Sequence, residues 1–300
     1  MTTSADPIAE GAGLELLADG MGWTEGPLWL PGQQKLIWSD IINNRIMAWS
    51  AAGRELSVFA DEVEYTNGRA LDLNGDVVEC SHGHRAIQRR RLSDGKVEIL
   101  IDRFAGVRLN SPNDVIVKSD GTIWFSDPAY GIEMPGEGHG GEREYGDRWV
   151  YRFDPAAGTI WPVVTDVIAP NGLAFAPDES VLYVCDSSYS GGEYGPGRHI
   201  RAYDVLAGRL AKWGRHLIEI DAEVPDGIKV DVEGRIWSSA GDGVRIYAPD
   251  GTELGRIPVP VRAANLCWGG PDGHTLYICA SDRIYSIRTT TTGATVAAHH

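Results

Sequence analysis

Residues 122–127 read Thr122-Ile-Trp-Phe-Ser-Asp127, a short apolar run that ends in a small hydroxyl residue and an acid. Five other segments of the chain align with it: Lys35-Leu-Ile-Trp-Ser-Asp40, Asp76-Val-Val-Glu-Cys-Ser81, Val181-Leu-Tyr-Val-Cys-Asp186, Arg235-Ile-Trp-Ser-Ser-Ala240 and Thr275-Leu-Tyr-Ile-Cys-Ala280. The fifth position is serine or cysteine in all six segments. A crowded strand position that recurs in equivalent units explains this restriction, so the sequence predicts six copies of one unit.

Each copy begins with a polar anchor residue, 14 or 15 residues before the end of its segment. Between anchor and segment lie a short apolar run and, in most copies, a turn signal such as Asn74-Gly75, which is typical of two antiparallel strands. Further strand-like runs follow each segment, so each copy predicts up to four strands. The six anchors are Glu25, Asn67, Asn113, Asn171, Asp226 and Asn265.

The spacing of the anchors predicts the fold. They are 39 to 58 residues apart, close to the roughly 40–45 residues of a four-stranded propeller blade. We therefore expect an all-β fold, a six-bladed β-propeller with four-stranded antiparallel blades, as a single domain over residues 1–300. The sixth copy lacks a fourth strand of its own, so the N-terminal segment, about residues 14–20, is expected to supply it and close the ring.

Composition limits the partners and the compartment. The net charge of −15 disfavours nucleic acid and anionic membranes as partners, and no apolar run reaches the length of a membrane span. The N-terminus lacks the basic and apolar regions of a signal peptide, which indicates a cytoplasmic protein, or a periplasmic one whose signal has been removed. The four cysteines show no zinc-type spacing and are expected as buried, reduced thiols. We expect a monomer or a small homo-oligomer.

The anchors predict a metal site at the propeller axis. The innermost strand of each blade lines the central channel, so residues that enter these strands surround one mouth of it. Two carboxylates and several carboxamides, without thiolates or clustered imidazoles, form a set of hard oxygen donors. Such a set favours one divalent cation, Ca²⁺ first, with Mn²⁺, Mg²⁺, Zn²⁺ and Fe²⁺ as alternatives.

Two copies carry long insertions, Tyr130–Asp147 and Ser187–Arg198, both after the second strand. They are expected on one face of the propeller, where long loops on a rigid scaffold shape binding sites. Tyr130 is the candidate substrate contact in the first of them.

Longer motifs around the anchors resemble the SMP-30/gluconolactonase/LRE family, and within it the bacterial gluconolactonase branch. The motifs are Glu25-Gly-Pro-Leu-Trp29, Asn110-Ser-Pro-Asn-Asp114, Ile123-Trp-Phe-Ser-Asp-Pro-Ala-Tyr-Gly131, Pro170-Asn-Gly-Leu173 and Pro225-Asp-Gly-Ile228. Cys80-Ser-His-Gly-His-Arg85 is similar to a further stretch of that branch, and the resemblance extends from about residue 14 to 288. It implies a six-bladed propeller that hydrolyses sugar lactones with one divalent metal.

The resemblance also implies roles for single residues. Glu25, Asn171 and Asp226 match the family's metal ligands, and Asn113 matches a residue that binds the metal directly or through water. Asn113 is also a candidate substrate contact. The expected mechanism is polarisation of the lactone carbonyl, with water activated by a carboxylate. Asp226 and Asp127 are the two candidate bases, and Asp127 is favoured because a metal-bound carboxylate is a weak base.

Three residues beside the expected site are candidate substrate contacts, namely Asn67, His82 and Arg85. For His82 and Arg85 an ordinary loop histidine and a surface ion pair are equally compatible with the sequence. Two other functions also remain open: hydrolysis of phosphotriesters or fluorophosphates at the same metal, and a non-catalytic propeller that serves as a binding scaffold with structural calcium. A polar pocket favours sugar lactones, whereas an apolar pocket favours phosphotriesters.

Overall fold

The structure, a computed structural model, describes residues 6–189 and 195–294. Its main elements are six four-stranded antiparallel sheets, the blades of a six-bladed β-propeller. Blades one to three contain β2 (Thr24–Leu30), β3 (Lys35–Asp40), β4 (Arg45–Ser50) and β5 (Glu55–Asp61); β6 (Thr66–Leu71), β7 (Val77–Ser81), β8 (Ala86–Arg90) and β9 (Val97–Ile101); and β12 (Val115–Val117), β13 (Ile123–Asp127), β14 (Trp149–Asp154) and β15 (Thr159–Val164).

Blades four to six complete the propeller. They contain β16 (Pro170–Phe175), β17 (Val181–Asp186), β18 (His199–Leu206) and β19 (Leu210–Glu219); β20 (Ile228–Val230), β21 (Ile236–Ala240), β22 (Gly243–Tyr247) and β23 (Glu253–Pro258); and β24 (Ala263–Gly269), β25 (Thr275–Ala280) and β26 (Arg283–Arg288), with β1 (Glu15–Ala18) as the fourth strand of blade six. A small hairpin of β10 (Arg103–Phe104) and β11 (Val107–Arg108) joins blades two and three. The short helix α1 (Tyr130–Glu133) lies in the first long insertion.

The ring closes as the sequence predicts. The innermost strands β2, β6, β12, β16, β20 and β24 each contact the next, and β24 contacts β2. The N-terminal strand β1 pairs antiparallel with β26, the last strand of the chain. This pairing joins the two ends of the ring and leaves blade six with four strands like the others.

The hydrophobic core is divided among the blade interfaces. Six clusters of buried side chains occur in the described part of the chain, and each joins two neighbouring blades. The largest fully buried side chains are Trp38, Trp124 and Trp237, which lie in the second strands of blades one, three and five. Burial of large aromatic surface between the sheets therefore stabilises the ring.

The serine-or-cysteine position is buried in all six blades, and its hydroxyls support the anchors. The Ser126 and Ser239 Oγ atoms each accept the backbone N–H at an anchor segment, from Asp114 and Asp226, both at 3.2 Å. Ser39 Oγ donates to the carbonyl of Asn67 in the next blade at 3.1 Å. Only a small side chain fits between the inner strand and its neighbour, which accounts for the restriction seen in the sequence.

The glycine after the anchor allows neighbouring inner strands to approach closely. A Cβ atom on Gly172 would lie 2.3 Å from the carbonyl oxygen of Asp226, and one on Gly26 would lie 2.1 Å from that of Asn67. The Gly172 N–H donates to the same Asp226 carbonyl at 2.9 Å. The anchors of neighbouring blades are thus held side by side by backbone contacts.

No helix within residues 6–189 and 195–294 is long and apolar enough to cross a membrane. All four cysteines are free and buried, as the sequence predicts.

The backbone contact at the axis gives a stability test. We expect Gly172→Ala to destabilise the protein by about 1–3 kcal/mol, because the new methyl group meets a carbonyl oxygen that cannot move independently of the neighbouring blade. Urea unfolding monitored by tryptophan fluorescence measures the change. Gly255→Ala is the matched control, since a Cβ atom there meets nothing within 4 Å and should change stability by about 0.5 kcal/mol or less. Equal stability of the two variants would contradict the role given to Gly172.

Candidate metal centre and active site

A cleft of about 200 Å³ opens at one mouth of the central channel. Five of the six anchors line it, and the sixth, Asn265, donates its Nδ2–H to Glu25 Oε2 at 2.9 Å. A second cleft of about 220 Å³ contains none of the anchors. The lining of the axial cleft comprises Glu25, Asn67, Asn113, Asn171 and Asp226 together with Trp23, Ile41, Tyr130, Met134, Glu137, Ser187 and Arg262.

Irregular strand pairing presents the anchors to the channel. In blades one, two, four and six the register between the first and second strands shifts at the anchor, which marks a β-bulge. In blades three and five, Asn113 and Asp226 precede the first strand. A bulge redirects a side chain that regular pleating would bury between the blades. Six residues at one repeat position therefore meet at the axis.

Two of the anchors, Glu25 and Asp226, are buried acids close enough for their charges to interact. Glu25 is 4% exposed and Asp226 is 7% exposed. Burial, and then the negative charge of Asp226, raise the pKa of Glu25 well above its usual range. Burial likewise raises the pKa of Asp226 to about 6, although the positive charge of Arg262 and a hydrogen bond with Asn171 act in the opposite direction. Two desolvated carboxylates of this kind are stabilised by a shared cation.

The donors in the cleft fit a divalent cation. Glu25 and Asp226 supply carboxylate oxygens, and Asn171 and Asn113 supply carboxamide groups beside them. Asn67 Oδ1 is buried and has no hydrogen-bond partner in the described part of the chain, so a further oxygen is available for a ligand. Oxygen donors with two negative charges suit Ca²⁺ and other hard cations.

His82 lies behind Asn67 rather than in the lining of the cleft. Its Nδ1 is 2.9 Å from the carbonyl oxygen of Glu137, and its Nε2 is 3.4 Å from Asn67 Nδ2. Burial lowers the pKa of His82 to about 4, so the ring is neutral near pH 7. A neutral ring that donates through Nδ1 accepts through Nε2, and this contact turns Asn67 Oδ1 away from the imidazole.

Asp127 and Arg85 also lie outside the lining of the cleft. Asp127 is fully buried, and its Oδ2 accepts hydrogen bonds from the backbone N–H of Asn110, at 2.8 Å, and from the Tyr145 hydroxyl. Burial raises the pKa of Asp127 to about 7. Arg85 Nε donates to the carbonyls of Leu109 and Asn110, at 2.8 and 3.0 Å. Both residues thus fix the segment that leads to Asn113.

The cleft residues that sequence reasoning did not name include Trp23, Glu137 and Arg262. Burial, followed by the charge of Asp226, raises the pKa of Glu137 to about 7. Arg262 lies between Asp226 Oδ2, 3.4 Å from its Nη2, and the Trp23 ring, 5.6 Å from its Cζ. The unusual length of the first insertion was the signal for Glu137, whereas nothing in the sequence singled out Arg262.

The two long insertions contribute to the cleft in different ways. Tyr130 and Met134, at and just beyond helix α1, line it together with Glu137. Ser187 lines it at the start of the second insertion, and its hydroxyl donates to the carbonyl of Pro225 at 2.5 Å. The expectation for the second insertion also covers residues 190–194, which lie outside the described residues.

Comparison with known proteins shows the family of the chain. A family profile described as the SMP-30/Gluconolactonase/LRE-like region matches residues 23–282. The chain belongs to this family.

Relatives within the family are similar over most of their length. A gluconolactonase from Zymomonas mobilis is 30% identical over 93% of this chain and 82% of its own. A gluconolactonase structure from Xanthomonas campestris is 37% identical and has a TM-score of 0.86, covering 94% of this chain and 91% of its own. A further X-ray structure, provisionally named a gluconolactonase, is 42% identical with a TM-score of 0.90, over 96% of each chain.

The buried imidazole of His82 predicts a specific pH dependence. Between about pH 6.5 and 4 the unfolded chain takes up a proton at His82 that the folded protein excludes, so stability falls as the pH falls. From pH 7 to 4.5 this contribution is about 2–3 kcal/mol. We expect His82→Gln to lack this pH-dependent contribution, so that its unfolding free energy falls less than that of wild type between pH 7 and 4.5. Urea unfolding without added metal measures the difference. His139→Gln, at an exposed ring, should follow wild type; equal losses in all three proteins would contradict the assignment.

Proposed function

We propose that this chain opens sugar lactones as a metal-dependent carboxylic ester hydrolase of the gluconolactonase type. One observation carries the proposal: Glu25, Asn171 and Asp226 line a single cleft at the axis. Glu25 and Asp226 are buried acids, and the negative charge of Asp226 disfavours ionisation of Glu25. The gluconolactonases named above support lactone hydrolysis as the reaction.

Glu25, Asn171 and Asp226 would hold the divalent cation, with Asn113 beside them. When bound, the cation supplies a Lewis acid that withdraws electron density from the lactone carbonyl. Oxygen donors and two carboxylates favour Ca²⁺, with Mn²⁺, Mg²⁺, Zn²⁺ and Fe²⁺ as the alternatives to be tested.

Water attack on the lactone carbonyl carbon requires a proton acceptor in the cleft. Asp226 meets this requirement by its position, because it lines the cleft beside the other proposed ligands. A bound cation would lower its pKa, so its position and not its basicity supports the assignment. Asp127 has a suitable pKa of about 7, but Asn110 and Tyr145 engage its carboxylate outside the cleft. We therefore assign proton removal to Asp226, and to Asp127 the role of positioning the segment that bears Asn113.

The polar lining favours a sugar over an apolar phosphotriester. Asn67, Asn113, Glu137 and Arg262 offer donors and acceptors for several hydroxyl groups. The Trp23 ring offers a flat apolar surface for the C–H face of a sugar ring. Tyr130 adds an aromatic side chain beside them. His82 and Arg85 act through Asn67 and the Asn110 segment rather than by direct contact with substrate.

A pH-drop assay over glucono-, galactono- and xylonolactone tests the proposal on protein stripped with chelator. We expect the stripped protein to be inactive, and one of the five divalent ions to restore hydrolysis. Asp226→Asn should lower kcat by about 10²–10⁴-fold, and Glu25→Gln should lose metal and activity together while the propeller still folds. Asp127→Asn should retain metal affinity and lose less of kcat. Glu98→Gln, an exposed strand residue, is the control.

Three outcomes would contradict the proposal. Hydrolysis that persists in chelator excludes metal dependence. Cleavage of phosphotriesters but of no lactone supports the first alternative function. A metal-dependent rise in melting temperature without hydrolysis of any substrate supports the binding scaffold. A larger loss of kcat in Asp127→Asn than in Asp226→Asn would transfer the base role to Asp127.

A further inference from the structure

A second group of possible metal ligands lies on the outer strands of blade four, away from the anchors. His199, His216 and Glu219 each offer one ligand atom, and these atoms lie within 4.8 Å of one another. The two imidazole rings stack with their centroids 4.4 Å apart and an interplanar angle of 18°. None of the three residues lines the axial cleft.

A β-bulge brings the three side chains to one face of the blade. His199 on β18 pairs with Glu219 on β19, whereas Arg201 pairs with His216, so the register shifts by one residue between these pairs. In a regular strand, positions 216 and 219 would point to opposite faces. The bulge cancels this alternation, so the side chains of both residues meet that of His199.

The orientation of these side chains suits a cation. Glu219 Oε2 faces His216, 3.1 Å from its Nε2, while Glu219 Oε1 is engaged by Arg198 Nε at 3.2 Å. His199 Nε2 lies 4.0 Å from Asp186 Oδ2. Asp186 is buried and held by the backbone N–H groups of Ile168, Ala169 and Ser188. This buried carboxylate places negative charge near the His199 ring, which favours a bound cation there.

The ligand chemistry differs from that of the axial cleft. Two imidazoles and one carboxylate form the set that binds Zn²⁺ with an open fourth position, whereas the axial donors are all oxygens. Ligand atoms in a tetrahedral zinc site with bonds of about 2.0–2.1 Å lie about 3.4 Å apart. His216 and Glu219 are both about half exposed, so their side chains have room to rotate from the present separations of up to 4.8 Å.

We propose that His199, His216 and Glu219 form a second metal site, selective for Zn²⁺ and similar transition-metal ions over Ca²⁺. The site adjoins the rim of the axial cleft, since His199 pairs with Asp186, the residue before Ser187 of the cleft lining. An ion bound there would join β18 to β19, which carry these three residues.

Calorimetric titration with Zn²⁺ tests this proposal in stripped protein supplied with excess Ca²⁺. The full chain carries His299→Ala and His300→Ala, because the two terminal histidines are themselves potential ligands. We expect one Zn²⁺ equivalent to bind, and His216→Gln and Glu219→Gln each to weaken that binding at least tenfold. Co²⁺ bound in place of Zn²⁺ should give visible d–d absorption that His216→Gln abolishes. His139→Gln is the control, since His139 pairs with Glu64 at 2.7 Å but belongs to no group of three possible metal ligands among the described residues.

A second variant separates this site from the axial one. Glu25→Gln should retain the Zn²⁺ equivalent with unchanged affinity, because Glu25 belongs only to the cleft. Unchanged Zn²⁺ affinity in His216→Gln, or no binding by the parent protein, would overturn the proposal. Loss of Zn²⁺ binding in Glu25→Gln alone would also overturn it, by assigning the ion to the axis. These readouts do not depend on lactone hydrolysis.

Discussion

The close approach of neighbouring inner strands at the axis is the contact on which the rest of this structure depends. At Gly26 and Gly172, a backbone carbonyl of the next blade occupies the space that a Cβ atom would need. Buried serine hydroxyls and backbone hydrogen bonds maintain the same spacing. Because the inner strands are so close, the anchor side chains that precede these glycines lie close to one another. The close packing of the strands therefore brings the polar side chains together at the channel mouth.

That cluster has an energetic cost in the absence of a cation. Glu25 and Asp226 are both desolvated, and the negative charge of Asp226 makes ionisation of Glu25 less favourable. A protein that keeps such a pair retains it for binding rather than for the stability of the fold, because well-packed apolar residues would be at least as stable there. The surrounding contacts are consistent with this view, since Asn265 and Arg262 each engage only one of the two acids.

The fold and the anchors could be predicted because both repeat. Six equivalent segments, each with a polar residue at a fixed distance, establish the register without any knowledge of contacts, and the closing strand β1 follows from the missing strand of the last copy. Side-chain direction could not be predicted in the same way. Asp127 ends its strand at the same mouth as the anchors, yet its carboxylate meets Asn110 and Tyr145 instead of the cleft. Arg262 contacts Asp226 and Trp23 at one place in the ring only, and a bulge brings two histidines, His199 and His216, together in blade four only. The repeat pattern of the sequence therefore does not predict either feature.

We propose that one cation binds between blades one, four and five through Glu25, Asn171 and Asp226. Anomalous diffraction from crystals grown with Mn²⁺ in place of Ca²⁺ tests this binding most directly. We expect one strong peak in the axial cleft, with oxygens of all three side chains within about 2.0–2.6 Å. A cleft without a peak, in crystals of protein that hydrolyses lactone in the same Mn²⁺ solution, would contradict it.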